Sequence, residues 1–270
     1  MLLKDKVAAI FGAGGSLGGA VARAFAREGA TVVLSGTGLP SVADVAGAIR
    51  AAGGQASTDQ VDALDAHAVE AHVDAIVRRH GALDIAFNAI GLQDTQDVPL
   101  IEMALDDFLR PVQIAMQSHF VTATAAGRRM RRQGGGVILS LTATPGGIGY
   151  PNVGGFGPAC CAIEGLCRNL ASELGPHGVR VANIRSAGSP DSRVFREAVE
   201  HGGERAAAFI GKLQDDTMLK SLPLMADIAD AAVFLASGMA ARITGVTLDV
   251  TCGTTSALNY KVAPIAFQRP

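Results

Sequence analysis

The stretch Val7-Ala8-Ala9-Ile10-Phe11-Gly12-Ala13-Gly14-Gly15-Ser16-Leu17-Gly18-Gly19 decides the fold. Five apolar residues read as a buried strand, and a glycine-rich turn follows. Leu17, Ala20, Val21, Ala24 and Phe25 then recur at helical spacing until Gly29 stops the pattern. In that order, strand, turn and amphipathic helix make a phosphate cradle. Glycines let the backbone approach a pyrophosphate, and the helix start offers free N–H groups and a positive dipole. The spacing is not G-x-G-x-x-G, because Leu17 stands where the third glycine would be. Placement between strand and helix therefore carries the reading of a dinucleotide site over a merely tight turn. Gly12, Gly14, Gly15, Ser16, Leu17 and Gly18 are its candidate residues.

Working outward, short apolar runs alternate with helical patterns to the end of the chain. Further strands are expected at Thr31–Leu34, Leu83–Phe87, Val137–Leu141, Val179–Ile184 and Val246–Val250. Ser41 is a plausible N-cap for a helix ending near Gly53-Gly54, Val69 to Val77 line a helix closing at Gly81, and a long helix covers roughly 106–132. Two more are marked by Ile163 to Leu174 and by Ile228 to Leu235. The alternation predicts an α/β fold: a single doubly wound, Rossmann-type parallel sheet of about seven strands with helices on both faces. With no linker or composition break, residues 1–253 read as one dinucleotide-binding domain. The tail 254–270 is a candidate oligomer contact. Ligands in such sheets bind beyond the carboxyl ends of the strands, so the loops after Phe11, Phe87, Leu141 and Ile184 should line the site. Segment 188–222 carries no readable motif.

Composition removes several classes. Apolar residues make up 49% of the 270, which excludes disorder, and the 33 glycines have no collagen-like period. A net charge of −2 gives no field for nucleic acid, and the cluster Arg128, Arg129, Arg131, Arg132 reads as a solvated helix end. No run approaches the ~18 apolar residues of a membrane span. Cys160, Cys161, Cys167 and Cys252 have neither zinc nor disulfide-framework spacing, so no metal is expected. The expectation is a soluble cytoplasmic protein acting on a small molecule.

The choice of dinucleotide depends on the end of the second strand, Ser35-Gly36-Thr37-Gly38. An acidic residue there would hold a ribose 2′-hydroxyl and repel a 2′-phosphate. With hydroxyls from Ser35 and Thr37 and no negative charge, the reading tilts slightly toward NADP over NAD.

Residues 4–253 resemble the short-chain dehydrogenase/reductase family. The first loop has the spacing of its T-G-x-x-x-G-x-G, with Phe11 for the threonine and Ser16 for the middle glycine. Val61-Asp62-Ala63 is similar to the segment whose Asp meets the adenine, and Asn88-Ala89-Ile90-Gly91 to the N-N-A-G turn beside the cofactor. Gly178-Val179-Arg180-Val181 and Ile243-Thr244-Gly245-Val246 match later landmarks, and Gly188 falls where the family lines its cofactor. The resemblance implies a homotetramer built partly through helices 106–132 and 156–174.

The family's catalytic tetrad is missing. Phe156 takes the place of its tyrosine, Cys160 of its lysine, Ala143 of its serine and Ala115 of its helical asparagine. Substitute groups are Thr142, as a hydrogen-bond donor to a substrate oxygen, Tyr150, the better acid, and His119, on the face of Ala115. Each also has an ordinary packing or surface role, and Cys160 reads as small-residue packing. Enoyl-acyl-carrier-protein reductases are similar at Ser140-Leu141-Thr142, Pro151-Asn152 and Ser186-Ala187-Gly188, but their tyrosine and lysine positions hold Val153 and Cys160 here. Halohydrin dehalogenases are similar at Ala143-Thr144-Pro145, yet lack a glycine-rich dinucleotide loop. The expected function is an atypical NAD(P)-dependent oxidoreductase acting on a carbonyl or activated double bond. The alternatives are a silent dinucleotide-binding protein and a redox-neutral lyase or isomerase.

Overall fold

The computed structural model describes residues 1–256. In chain order the elements are β1 (Val7–Phe11), α1 (Ser16–Arg27), β2 (Thr31–Gly36), α2 (Leu39–Ala51), β3 (Gln55–Gln60), α3 (Ala66–His80) and β4 (Ile85–Asn88). There follow α4 (Leu105–Gln133), β5 (Gly136–Ala143), α5 (Phe156–Leu174), β6 (Val179–Ser186), α6 (Arg193–Asp215), α7 (Met225–Ala236) and β7 (Val246–Val250). The strands form one seven-stranded sheet in the order β3-β2-β1-β4-β5-β6-β7, every neighbour parallel. Strand order reverses between β1 and β4, which opens a crevice at their carboxyl ends.

All five residues of β1 are buried, as a central strand covered on both faces requires. On one face Val21 and Phe25 of α1 pack with Ile228 and Leu235 of α7. On the other, Val69, Val73 and Ile76 of α3 join Ala115 of α4 and Ile163 of α5. Helix ends follow local chemistry. The Asp65 carboxylate caps α3 by accepting from the His67 and Ala68 N–H groups, and left-handed Gly81 and Gly134 close α3 and α4.

Four readings change. Ser41 is not the N-cap of α2. Gly38 is, and Ser41 sits in the first turn donating to the Gly38 carbonyl at 3.1 Å. Strand β3 is a polar edge strand, Gln-Ala-Ser-Thr-Asp-Gln, with no apolar run to announce it. Residues 193–215, unread in the sequence, form α6. Half of the arginine cluster at the end of α4 is paired as well as solvated: Arg128, still 53% exposed, donates to Glu70 at 2.6 Å, and Arg129 pairs with Asp74, docking α4 on α3. Among the described residues no helix is long and apolar enough to cross a membrane. The expected role of the tail falls on residues that, beyond 256, lie outside the described ones.

Candidate functional site

The loop between β1 and α1 is shaped by what its glycines avoid. Gly12 has φ +79°, and a Cβ on it would lie 2.6 Å from the Ala89 carbonyl oxygen. A Cβ on Gly18 would lie 2.4 Å from the Gly12 carbonyl oxygen, so α1 can pack under the loop only without a side chain there. The Gly12 and Ala13 N–H groups both donate to the Ser35 carbonyl, at 3.0 and 3.1 Å, which pins the loop to β2. Gly15 caps α1 with no side-chain hydrogen bond. The N–H groups of Ser16, Leu17 and Gly18 therefore lack partners within the helix and carry its positive end.

The loop borders a cleft of about 430 Å³. Gly12, Gly14, Gly15, Thr37, Asp62, Ala63, Ala89 and Ile90 line it, so the structure brings together eight of the candidate cofactor residues. The cradle, the uncapped helix start and the hydroxyl-bearing rim at Thr37 and Ser41 fit a dinucleotide. The other six sit elsewhere. Ser35 is buried, its hydroxyl donating to the Ile10 carbonyl at 3.3 Å, so it joins strands instead of reaching the cleft. Leu17 packs on the core, and Gly18 lies beneath the loop. The Ser16 hydroxyl accepts the Arg193 N–H at 3.1 Å, tying the cradle to α6. Asn88 is a positioning residue: its Oδ1 accepts the Ile90 N–H at 3.0 Å and its Nδ2 donates to Thr122 Oγ1 at 2.9 Å. Gly188 belongs to a second pocket, where the Phe195 ring covers it. The sequence reading missed Arg193, which brings a guanidinium to the cleft from an unrecognised helix.

The second pocket, about 400 Å³, lies beyond the carboxyl ends of β5 and β6 and beneath α6. Pro145, Val153 and Phe156 form one side; Phe195, Phe209 and Ile210 form the other. Consecutive residues Arg193 and Val194 line the cleft and the pocket respectively, so the two cavities adjoin at the start of α6. Tyr150 lines the pocket, whereas Thr142 and His119 do not. Burial, reinforced by Asp216, holds the Tyr150 phenol above its usual range, with Lys212 partly opposing.

Beside Ala143 and Cys160, which the resemblance aligns with a catalytic serine and lysine, the structure holds a polar network. Glu164 on α5 receives Arg185 Nε and Nη2 at 3.0 and 2.6 Å, a two-point pairing of guanidinium and carboxylate. Arg185 also donates to the Gly146 carbonyl at 3.3 Å and reaches Asp249 at 3.2 Å. The Thr142 hydroxyl donates to Glu164 Oε1 at 3.1 Å and accepts Asn183 Nδ2 at 2.6 Å. Its one proton is committed to a carboxylate, which corrects the expectation of a donor turned toward substrate. His119 is corrected likewise. It is buried, its Nδ1 lies 3.0 Å from the Ala115 carbonyl, and burial lowers the imidazole to about 4. Cys160 is fully buried, and burial pushes its thiol up to about 11, as packing requires and a nucleophile does not. Among the described residues no cluster of side chains could hold a metal ion.

Comparison with known proteins matches this architecture. The family model described as enoyl-(acyl carrier protein) reductase matches residues 12–255. The short-chain reductase protein NovJ of Streptomyces niveus is 33% identical over 253 residues, covering 93% of this chain and 94% of that protein. The 7alpha-hydroxysteroid dehydrogenase of Escherichia coli K12 is 29% identical over 257 residues, covering 95% and 97%. A crystal structure of NAD+-bound xylitol dehydrogenase superposes with a TM-score of 0.87 at 26% identity, covering 94% of this chain and 100% of that one. With glycine cradle, strand order and nearly the whole length in agreement, the chain belongs to the short-chain dehydrogenase/reductase family of oxidoreductases.

Proposed function

We propose that the protein is an NAD(P)(H)-dependent reductase acting on a carbonyl or activated double bond of a small molecule. The observation that carries this reading is the junction of a dinucleotide-shaped cleft with an apolar pocket that holds a phenol. A nicotinamide bound in the cleft supplies hydride chemistry. The N–H groups of Ser16, Leu17 and Gly18 would hold its pyrophosphate, and Thr37 and Ser41 would serve the adenosine ribose. The absence of a carboxylate at 36–38 favours NADP(H). Tyr150 donates the proton to the oxygen or carbon that receives negative charge. Because its environment keeps the phenol protonated, the site suits reduction better than alcohol oxidation, which needs a base.

Tyr150→Phe removes this proton source. Loss of a positioned general acid lowers kcat by about 10²–10⁴. Stopped-flow NADPH oxidation should show that fall with little change in KM. A variant as fast as the parent would assign the proton to another group.

A second reading, a catalytically silent dinucleotide-binding protein, is favoured by Phe156 and Cys160 at the tyrosine and lysine positions and by the commitment of Thr142 to Glu164. Both readings require cofactor binding, which stabilises the fold by about 2.7 kcal/mol at a hundredfold excess over Kd. NADPH consumption with a ketone panel separates them. The protein is further proposed to work in the cytoplasm as a homotetramer. Helix α4 supports assembly by presenting Phe120 at 58% exposure on its outer face.

A further inference from the structure

We infer that the substrate is a bulky, uncharged and largely apolar carbonyl compound, and not a sugar, polyol or carboxylate. The inference rests on the proposed reductase reading and names the substrate class of that site.

The first ground is what the pocket lacks. No Asp, Glu, Lys, Arg or His lines it among the described residues. Its polar side chains are Gln96, Thr144, Tyr150 and Thr254. Three are engaged already: Thr144 Oγ1 donates to the Ser186 carbonyl at 3.4 Å, Thr254 Oγ1 to the Thr251 carbonyl at 2.8 Å, and Gln96 Nε2 to Asp94 at 2.5 Å. Among the described residues, Tyr150 alone in this lining offers a hydroxyl proton without a partner, which suits one substrate oxygen. A polyol would carry several hydroxyls into this space and leave most of them without partners, and a carboxylate would meet no cation in the lining, since Lys212 near Tyr150 is outside it and already paired with Asp216 at 2.6 Å.

The second ground is what α6 leaves uncovered. This helix of 23 residues has no buried side chain. At Gly203 the backbone turns to φ +53°, ψ −134°, which breaks it into two arms. Both arms direct apolar residues at the pocket, Val194, Phe195 and Ala198 from the first, Ala206, Phe209 and Ile210 from the second. Yet Val194 is 66% exposed and Phe209 57% exposed. Apolar surface arranged around a cavity and left wet is a binding surface for an apolar ligand, which would complete the core that α6 lacks. Of the relatives named above, the hydroxysteroid dehydrogenase has a name matching this chemistry, and the xylitol dehydrogenase does not.

The test compares three ketones by binding and by turnover: trans-1-decalone, L-xylulose and 5-keto-D-gluconate. Binding is measured by thermal shift and calorimetry on the full chain, with and without NADPH. Decalone should bind at least tenfold more tightly than either polar ketone. Phe209→Gln should weaken decalone at least tenfold while the NADPH-induced shift is unchanged, and Leu219→Gln, an exposed change outside the pocket, should alter neither. Equal or tighter binding of xylulose or ketogluconate overturns the substrate class, even if either is reduced and the reductase reading stands. Decalone bound selectively but never reduced upholds the apolar ligand class of the pocket and counts against the reductase reading.

Discussion

The loop after β1 and the loop after β5 face each other across the carboxyl edge of one sheet, and they have been treated in opposite ways. The β1 loop retains each backbone demand of a phosphate cradle, down to a glycine at φ +79°. The β5 loop also contains glycines, at 146, 147 and 149, but the groups beneath it form a salt-bridged structural core. Cofactor recognition is largely backbone work and tolerates side-chain change. Proton transfer is side-chain work, and here Thr142, next to the position that the resemblance gives to a serine, is held by Glu164. The difference shows that the two halves of such a site can diverge independently.

Four measurements would break or sharpen that contrast. The largest effect is expected at Glu164, whose side chain is 6% exposed. Glu164→Ala leaves Arg185 half-paired in a buried setting and should cost about 3–5 kcal/mol in urea unfolding. If the network is structural, the Kd for NADPH changes far less than the stability.

His119 comes next. Its folded imidazole protonates only near pH 4, whereas the unfolded one does so near its ordinary 6.5. Between these values the unfolded chain binds more protons, so stability falls as pH drops through that window, by about 3 kcal/mol in total. His119→Phe should flatten this limb of the pH–stability curve and leave turnover at pH 7.5 intact. Loss of turnover in that variant would return His119 to the chemistry.

Gly12→Val places a branched side chain against the Ala89 carbonyl at a left-handed φ. The NADPH Kd should rise at least a hundredfold, read by calorimetry, with a smaller loss of stability than at Glu164. The smallest effect is expected at Thr37. Thr37→Asp supplies the carboxylate that β2 lacks and should move preference from NADPH toward NADH by about tenfold. No movement would mean that the 2′ end of the cofactor is read elsewhere, Arg193 being the cation in that cleft.

The sequence showed the fold because its signals are local. Apolar runs at Val7–Phe11 and Val137–Leu141 and helical spacing at Leu17–Phe25 report burial that any packing of this chain must satisfy. Strand β3 was legible only through the resemblance at Val61-Asp62-Ala63, since a polar edge strand has no hydrophobic period. Helix α6 carries a local signal in Ala206, Phe209, Ile210 and Leu213 at i, i+3, i+4 and i+7, but no motif accompanies it to tie it to the site. The cofactor loop was likewise visible, although Ser35 sits one residue too deep in β2 to serve it.

By itself, then, the sequence determined the doubly wound sheet and the phosphate cradle and, through the resemblance, the expectation that a tyrosine and a lysine are replaced, because each is written in consecutive residues. Only the tertiary structure decided what stands in their place. Thr142, Glu164, Arg185 and Asp249 come from four separate elements, Phe209 from a fifth, and Tyr150 from the loop before α5. Whether a hydroxyl faces a substrate or a buried carboxylate depends on which strands and helices lie side by side, and no spacing along the chain encodes that distance.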